Sequence, residues 1–398
     1  MSRARLLGCI AITAIGLGGC ATTATSQVSS ERAGAACSTS SGSIAFDFET
    51  APQSTCAVLG EREFAIRVTP EHAPPINPSP WYAFRYGASG AEGISVRLDY
   101  VGARHRYAPK LIRGGTTATL PVDVSGDGSS ATLHLPPGHG LVAAQELFAS
   151  ERYDRFISRL AALPQAGKIR LGRSLDGRPI EAVRFGNPAA PQMVVLIGRQ
   201  HPPEVTGAIA MEAFVDELAR LVQADEGANR NFQFLVVPEI NPDGVARGYW
   251  RANRGGKDLN RDWGEFSQPE TRAVKAWLDA LPQGVRPAAM LDFHSTDRNL
   301  FYVQGEAETD EREEMFLAGW LQGKTTSMPG YPFTIERRNA RANGSSKNWF
   351  HQAYDVPAYT YEVGDQTDRE AIRRSAIALA RSYVAQLHLL SLAGPSSK

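Results

Sequence analysis

The sequence predicts an all-β sandwich followed by an α/β domain whose mixed sheet is flanked by helices. Three observations carry this expectation. Residues 43–140 hold short runs of alternating apolar and polar residues broken by Gly, Pro and Asp, the pattern of a many-stranded β unit. Residues 166–392 alternate longer apolar runs with helical stretches, which reads as strands with helices packed on them. The chain has 398 residues, enough for two such domains, and its 42% hydrophobic and 21% charged content is that of a soluble globular protein.

The elements follow in chain order. Arg3 and Arg5 precede an apolar stretch at residues 6–17 that is too short to span a bilayer. Residues 1–19 therefore read as an export leader rather than as structure. Leu17-Gly-Gly-Cys20 resembles a bacterial lipobox. The resemblance implies cleavage before Cys20, lipid attachment to its sulfur and amine, and a membrane anchor; the alternative is an ordinary secretory signal. Ala21, where an inner-membrane retention signal would have Asp, favours the outer membrane, periplasmic face. Residues 20–42 are rich in Ser, Thr and Ala and read as a flexible tether. Cys9 leaves with the leader and Cys20 carries lipid, so Cys37 and Cys56 remain as an expected disulfide in an oxidising compartment.

Within the sandwich, strands are expected at residues 43–48, 63–68, 94–100, 118–124 and 131–135. His72, His105, His134 and His139 are scattered there and read as structural or surface residues. Residues 141–165 read as a helical connector, from residues 141–147 and 153–160. Beyond it, apolar runs at 193–197, 232–237, 289–294 and 358–361 read as strands, and residues 205–222, 268–281, 311–321 and 368–390 as helices. Lys plus Arg equals Asp plus Glu, 42 each, so the basic excess of a nucleic-acid partner is missing.

Chemistry concentrates where strands end. His201-Pro-Pro-Glu204 follows the 193–197 run. His and Glu three apart in one helical turn point the same way. They supply two of the three protein ligands of an open catalytic zinc site. Alone, a His-x-x-Glu pair is a weak signal. His294 ends another apolar run. In open α/β sheets ligands bind beyond the carboxyl ends of strands, so both imidazoles point to one crevice. Taken singly, His294 is as readily a core histidine satisfied by Asp292 or Ser295. Glu362 follows a third run and is placed either to move a proton at the crevice or to cap the next segment. Asn241-Pro-Asp-Gly244 is a strong turn signal. Asn260 and Arg261 offer an amide and a guanidinium fork suited to a carboxylate. Arg251 suits an oxyanion, and Asp258 suits the second ring N–H of a liganding His. The competing reading of this stretch is a solvated surface loop.

Together, His201-x-x-Glu204, Asn241-Pro-Asp-Gly244, Arg251, Asp258-x-Asn260-Arg261, His294 and Glu362 resemble the zinc metallocarboxypeptidase (funnelin) family in order and spacing, over about residues 165–390. Gly172-Arg-Ser-Leu-Asp-Gly-Arg-Pro179 is similar to the turn that opens its fold. The resemblance implies a zinc carboxypeptidase-like α/β domain at residues 166–392, with one Zn2+ per chain held by His201, Glu204 and His294. It implies that Arg251 polarises the scissile carbonyl and that Asn260 and Arg261 hold the terminal carboxylate of a peptide or protein. Glu362 is then general base and acid. Trp81-Tyr-Ala-Phe84-Arg85 and Tyr107-Ala-Pro-Lys110 resemble, more loosely, the β-sandwich of cytosolic-type carboxypeptidases, which implies a sandwich beside the active-site funnel. The plain alternative is that Trp81 and Phe84 fill the sandwich core.

Two departures stand out. The segment Arg337-Arg-Asn-Ala-Arg341 lacks the capping Tyr of many secreted members. The specificity position falls on Ser346 or Lys347. Lys347, with Arg338 or Arg341 nearby, favours an acidic side chain on the substrate. Two other readings compete: a cell-wall peptide amidase acting beside D-glutamate or diaminopimelate, and a non-catalytic peptide-binding lipoprotein.

Overall fold

Two β-sheets face each other at the start of the chain. The computed structural model describes residues 36–224, 231–339 and 343–392, so the expected leader, Cys20, most of the expected tether and Arg341 lie outside the described residues. One sheet orders strands Cys37–Ser38, Gly42–Ala45, Ala83–Ala88, Gly138–Ala143, Lys110–Arg113 and Thr116–Thr119; the other orders Thr55–Gly60, Glu63–Val68, Ile94–Tyr100, Ser130–Leu135 and Asp123–Val124. Alternate residues point inward, as Ile94, Val96, Leu98 and Tyr100 do. They close a core with Trp81, Phe84 and Tyr86. The strand pairing starts at Cys37 rather than at residue 43, inside the stretch expected as tether. Cys37 and Cys56 form a disulfide with Cα atoms 5.7 Å apart, inside the normal span.

Two expectations fail here for clear reasons. Residues 118–124 are not one strand. Pro121 lacks a donor, and the chain leaves one sheet after Thr119 and joins the other at Asp123. Residues 141–147 are not helical. Leu141–Ala143 end a strand paired on both sides, with 83–85 and 110–112. The helix-forming residues there are overridden by sheet partners that the local sequence does not reveal.

The sheet of the second domain comprises β1 (Gly167–Arg173), β2 (Pro179–Gly186), β3 (Gln192–Gly198), β4 (Phe232–Val237), β5 (Arg286–Thr296), β6 (Leu300–Val303), β7 (Thr334–Arg337) and β8 (Ala358–Gly364). Their order is β1-β2-β4-β3-β5-β8-β6-β7. The centre, β4-β3-β5-β8, is parallel, and its strands are apolar along nearly their whole length because both faces are covered. The outer pairs β1–β2, β2–β4 and β6–β8 are antiparallel, so the sheet is mixed.

Helices α1 (Ser150–Ala161), α2 (Val205–Ala224), α3 (Pro242–Ala246), α4 (Pro269–Asp279), α5 (Glu311–Leu321), α6 (Ser346–Tyr354) and α7 (Arg369–Leu392) follow. In α1, Tyr153, Phe156, Ile157 and Leu160 form one buried stripe. It joins α2, α5 and α7 on one face of the sheet, so this part of the expected connector belongs to the core of the second domain. Val274 and Leu278 of α4 and Phe350 of α6 cover the other face.

Candidate active site

The carboxyl ends of β3, β5 and β8 meet at one cavity of about 700 Å³. His201, Glu204, Arg251, Asn260, Arg261, His294, Lys347 and Glu362 all line it. His201 and Glu204 are not on a helical turn as expected. Pro203 lacks an N–H, and a residue before proline is pushed out of the helical region. The four residues form a tight turn just ahead of α2, closed by the Glu204 N–H donating to the His201 carbonyl at 3.4 Å. His294, on β5, pairs in register with Glu362 on parallel β8, which brings the ligand strand and the acid side by side.

Glu204 stands between the two imidazoles. Its Oε1 lies 2.7 Å from His201 Nδ1 and its Oε2 lies 2.7 Å from His294 Nδ1. The three donor atoms lie within 4.8 Å of one another. Each ring is oriented from behind. His201 Nε2 is 3.0 Å from Asp258 Oδ1, and His294 Nε2 is 2.8 Å from Asp292 Oδ2. With Nε2–H held by a carboxylate, each ring turns Nδ1 toward Glu204, where a metal ion would take the place of a proton between them. Two imidazole nitrogens and one carboxylate oxygen, braced in this way, fit the zinc that the sequence implies. Burial opposes charge on both rings. Glu204, with Asp258 behind His201 and Asp292 behind His294, outweighs it and raises both imidazole pKa values.

Asp258 does more than the sequence indicated. Its Oδ2 accepts Arg251 Nε at 2.8 Å and its Oδ1 also accepts the Asn260 N–H at 2.9 Å. One carboxylate thus fixes a metal-ligand candidate, the Arg251 guanidinium and the backbone at Asn260. Burial resists its ionisation, but His201 and Arg251 hold it well below the usual carboxylate range. Asn260 Oδ1 accepts the Ser346 N–H at 3.0 Å. Its amide nitrogen faces His294 Nε2 at 3.4 Å, but that nitrogen already donates to Asp292. The Asn260 amide N–H groups are therefore left for a ligand. Arg261 is exposed at the cavity.

Glu362 Oε2 is buried without a partner. Burial raises its carboxyl well above the usual range, more than the nearby His294 lowers it. An unpartnered acid facing the cavity is what a proton carrier requires.

The two options for the specificity position separate cleanly. Ser346 is fully buried and its hydroxyl bonds Asp292, away from the cavity. Lys347 lines the cavity, with Nζ 3.3 Å from the Arg338 carbonyl and 3.5 Å from the Val303 carbonyl. Burial pulls its pKa down to about 8. Arg337 pairs with Glu314, and Arg338 with Glu336. Arg261 and Lys347 have no salt-bridge partner among the described residues.

The turn motifs explain their own spacing. The Asn241 side chain accepts the Gly244 N–H at 3.0 Å and donates to the carbonyls of Gln200 and Ala252. It ties the turn after β3 to the Arg251 loop. A Cβ at Gly244 would fall 2.7 Å from the Asn241 amide and from Pro202. Asp243 accepts Ser174 Oγ at 2.7 Å and the Asp176 N–H at 2.9 Å, docking the turn that opens the domain.

Other cavity residues carry no sequence signal of their role. Tyr302 on β6 brings a phenol to the wall, its ring 5.5 Å from the Arg338 guanidinium. Arg106 and Tyr107 reach the cavity from the sandwich, and Trp250 from the loop before Arg251. They belong to another domain or to an irregular loop, where periodicity says nothing about direction.

Comparison with known proteins adds the following. A family model described as zinc carboxypeptidase matches residues 153–380. An uncharacterised protein of Zymomonas mobilis is 33% identical over 139 residues, 33% of this chain and 35% of that protein. Cytosolic carboxypeptidase 6 of Mus musculus is 24% identical over 275 residues, 60% of this chain and 51% of that protein. The chain thus spans between a third and about half of the length of these curated relatives. The crystal structure of a metallo-carboxypeptidase from Burkholderia cenocepacia superposes with a TM-score of 0.72 at 21% identity, covering 89% of this chain and all of the other; this is a likeness of fold.

Proposed function

This chain belongs to the zinc carboxypeptidase family, and from that premise we propose that it is a metallocarboxypeptidase that removes the last residue of a peptide or protein, preferring an acidic one. One observation supports this most. A single cavity holds a three-donor metal set, an acid with one buried, unpartnered oxygen, and two cations that form no salt bridge among the described residues.

His201, Glu204 and His294 would hold the zinc. Bound there, zinc supplies Lewis acidity, which lowers the pKa of water and polarises a carbonyl. The residues of the chain do the rest. Glu362 takes a proton from the attacking water and delivers it to the departing amine. Arg251, steadied by Asp258, donates to the carbonyl oxygen as negative charge grows on it. Asn260 and Arg261 bind the α-carboxylate, which limits cleavage to chain ends. Lys347 meets the side chain of the last residue. It has exchanged water for two carbonyl contacts, so a substrate carboxylate regains the interaction its burial removed.

Glu362→Gln tests the first part. It should retain one zinc per chain and lower kcat by about a thousandfold; near wild-type turnover with zinc bound would remove Glu362 from the proton role. Lys347→Met tests the second. The ratio of kcat/KM for peptides ending in Glu over those ending in Leu should fall by roughly thirtyfold, the scale of losing one partner of a buried charge pair. An unchanged ratio would defeat the acidic preference and leave the carboxypeptidase reading standing.

A further inference from the structure

We propose that Arg106, a residue of the β-sandwich, forms a subsite at the cavity mouth that holds a backbone carbonyl oxygen of the peptide upstream of the cleaved bond. The inference rests on the carboxypeptidase reading above. Arg106 lies between strands Ile94–Tyr100 and Lys110–Arg113 and lines the cavity. Its Nε donates to Asp365 Oδ2 at 2.8 Å, and Nη2 lies 2.7 Å from the same oxygen. The rings of Trp250 and Tyr107, whose centroids are 6.0 Å apart, lie 5.0 and 5.2 Å from the guanidinium and flank it as a pair. It is thereby held by one carboxylate and a pair of rings, yet its side chain is 33% exposed. Nη1 has no hydrogen-bond partner among the described residues.

Strand register sets the depth of this group. On antiparallel β6, Leu300 pairs with Glu362 and Tyr302 with Thr360 of β8. Lys347 Nζ bonds the carbonyl of Val303, one residue past Tyr302, and so lies at or below the level of Thr360. Asp365 follows the opposite end of β8. Asp365 is five residue steps from Thr360, roughly 16 Å of strand, with Glu362 between them. A peptide with its last side chain at Lys347 and its scissile carbonyl beside Glu362 therefore leaves past Arg106, about 10 Å further out, the reach of about three extended residues.

The chemistry selects the ligand atom. The Nε–Nη2 edge is already neutralised by Asp365, so the fork that would grip a carboxylate with two parallel bonds is occupied. Three N–H groups remain, both of those on Nη1 among them, and a cation whose charge Asp365 already balances suits a neutral carbonyl oxygen better than a second carboxylate. The competing role is a latch between sandwich and catalytic domain, acting only through Asp365.

The experiment compares an acetylated dipeptide with an acetylated pentapeptide that shares its last two residues, on the zinc-loaded full chain. The wild type should prefer the pentapeptide by about tenfold in kcat/KM, the scale of one charge-assisted hydrogen bond. Arg106→Ala and Arg106→Lys should both remove that gain, mainly through KM, and leave the dipeptide within about twofold. The lysine variant keeps a cation for Asp365 but has no second nitrogen to face the cavity. Equal losses on both peptides in both variants would reduce Arg106 to a latch, and a length preference that survives Arg106→Lys would overturn the subsite. If the zinc-loaded wild type hydrolyses neither peptide, the carboxypeptidase reading itself fails and this subsite falls with it.

Discussion

Asp292 offers one oxygen to three donors: His294 Nε2, Gln200 Nε2 at 2.5 Å, and the Ser346 hydroxyl. Its other oxygen is buried and unpartnered. So many donors on one carboxylate fix the His294 ring and keep its Nδ1 free for a metal. Replacement by Ala leaves three donors unsatisfied and the ring free to turn. Asp292→Ala should weaken zinc binding by about 10- to 100-fold, read by competition with a chelator; an unchanged affinity would show that the ring is held by packing alone. Lys347 gives a second prediction, in pH. Burial pulls its pKa down to about 8, so the free enzyme loses that positive charge as pH rises through 8. The proposed preference for an acidic last residue, measured as a kcat/KM ratio, should fall across that interval, and Lys347→Arg should keep it. A ratio flat from pH 7 to 9 would contradict this. At this scale His201, His294 and Glu362 were legible as candidates because each follows or ends an apolar run, whereas Arg251, Asn260 and Arg261 were marked only by their residue types and their turn. Asp292 was not legible, since an acid two residues before a histidine serves equally as the partner of a core ring or of a ligand.

At the scale of elements, the approach of α2 to β5 decides where the site forms. Gly207, in the first turn of α2, lies against the backbone of His294: an added Cβ would fall 2.5 Å from its carbonyl oxygen. The Gly207 N–H and the Thr206 hydroxyl both bond Ser295 Oγ at 2.8 Å. The helix thus clamps the end of the strand that carries a ligand candidate. Gly207→Ala must push the two apart. It should destabilise the fold by about 1–3 kcal/mol and weaken zinc binding as well. Thermal unfolding with and without zinc checks both, and a variant as stable as wild type with undiminished zinc affinity would show that the contact yields freely. Sequence periodicity located α2, α4, α5 and α7 to within a few residues because each presents one or two buried faces. It failed at residues 141–147, where the sheet supplies partners from distant segments. It failed again at His201-Pro-Pro-Glu204, where spacing suggested a helical turn but two prolines impose another turn that serves the same end. The close approach at Gly207 has no periodic signature.

For the whole molecule, the sandwich is part of the site's construction. Glu71, between two sandwich strands, accepts the Arg251 N–H at 2.7 Å and the Ala252 N–H at 3.1 Å through Oε1. His72 beside it packs edge-on against Tyr249. The Thr50 N–H bonds the Ala246 carbonyl at 3.0 Å, and Arg369 of α7 reaches back to Gln145 and Glu146. The loop carrying Arg251 is therefore held between two domains: Asp258 holds the guanidinium and Glu71 holds the main chain. The sequence could suggest that a sandwich stands beside the site, but contacts between residues 180 positions apart leave no trace in local pattern. If this clamp aims Arg251, Glu71→Ala frees two backbone donors and lets the loop drift, while His201, Glu204 and His294 keep their places. The expected result is a fall in kcat of about tenfold, one hydrogen bond's worth of transition-state stabilisation, with zinc affinity unchanged. Glu71→Gln keeps an acceptor oxygen in the same place and should recover most of the rate. Equal kcat in wild type and Glu71→Ala would mean that Asp258 alone aims the arginine, and a parallel loss of zinc would mean that the sandwich supports the metal set rather than the oxyanion side of the cavity.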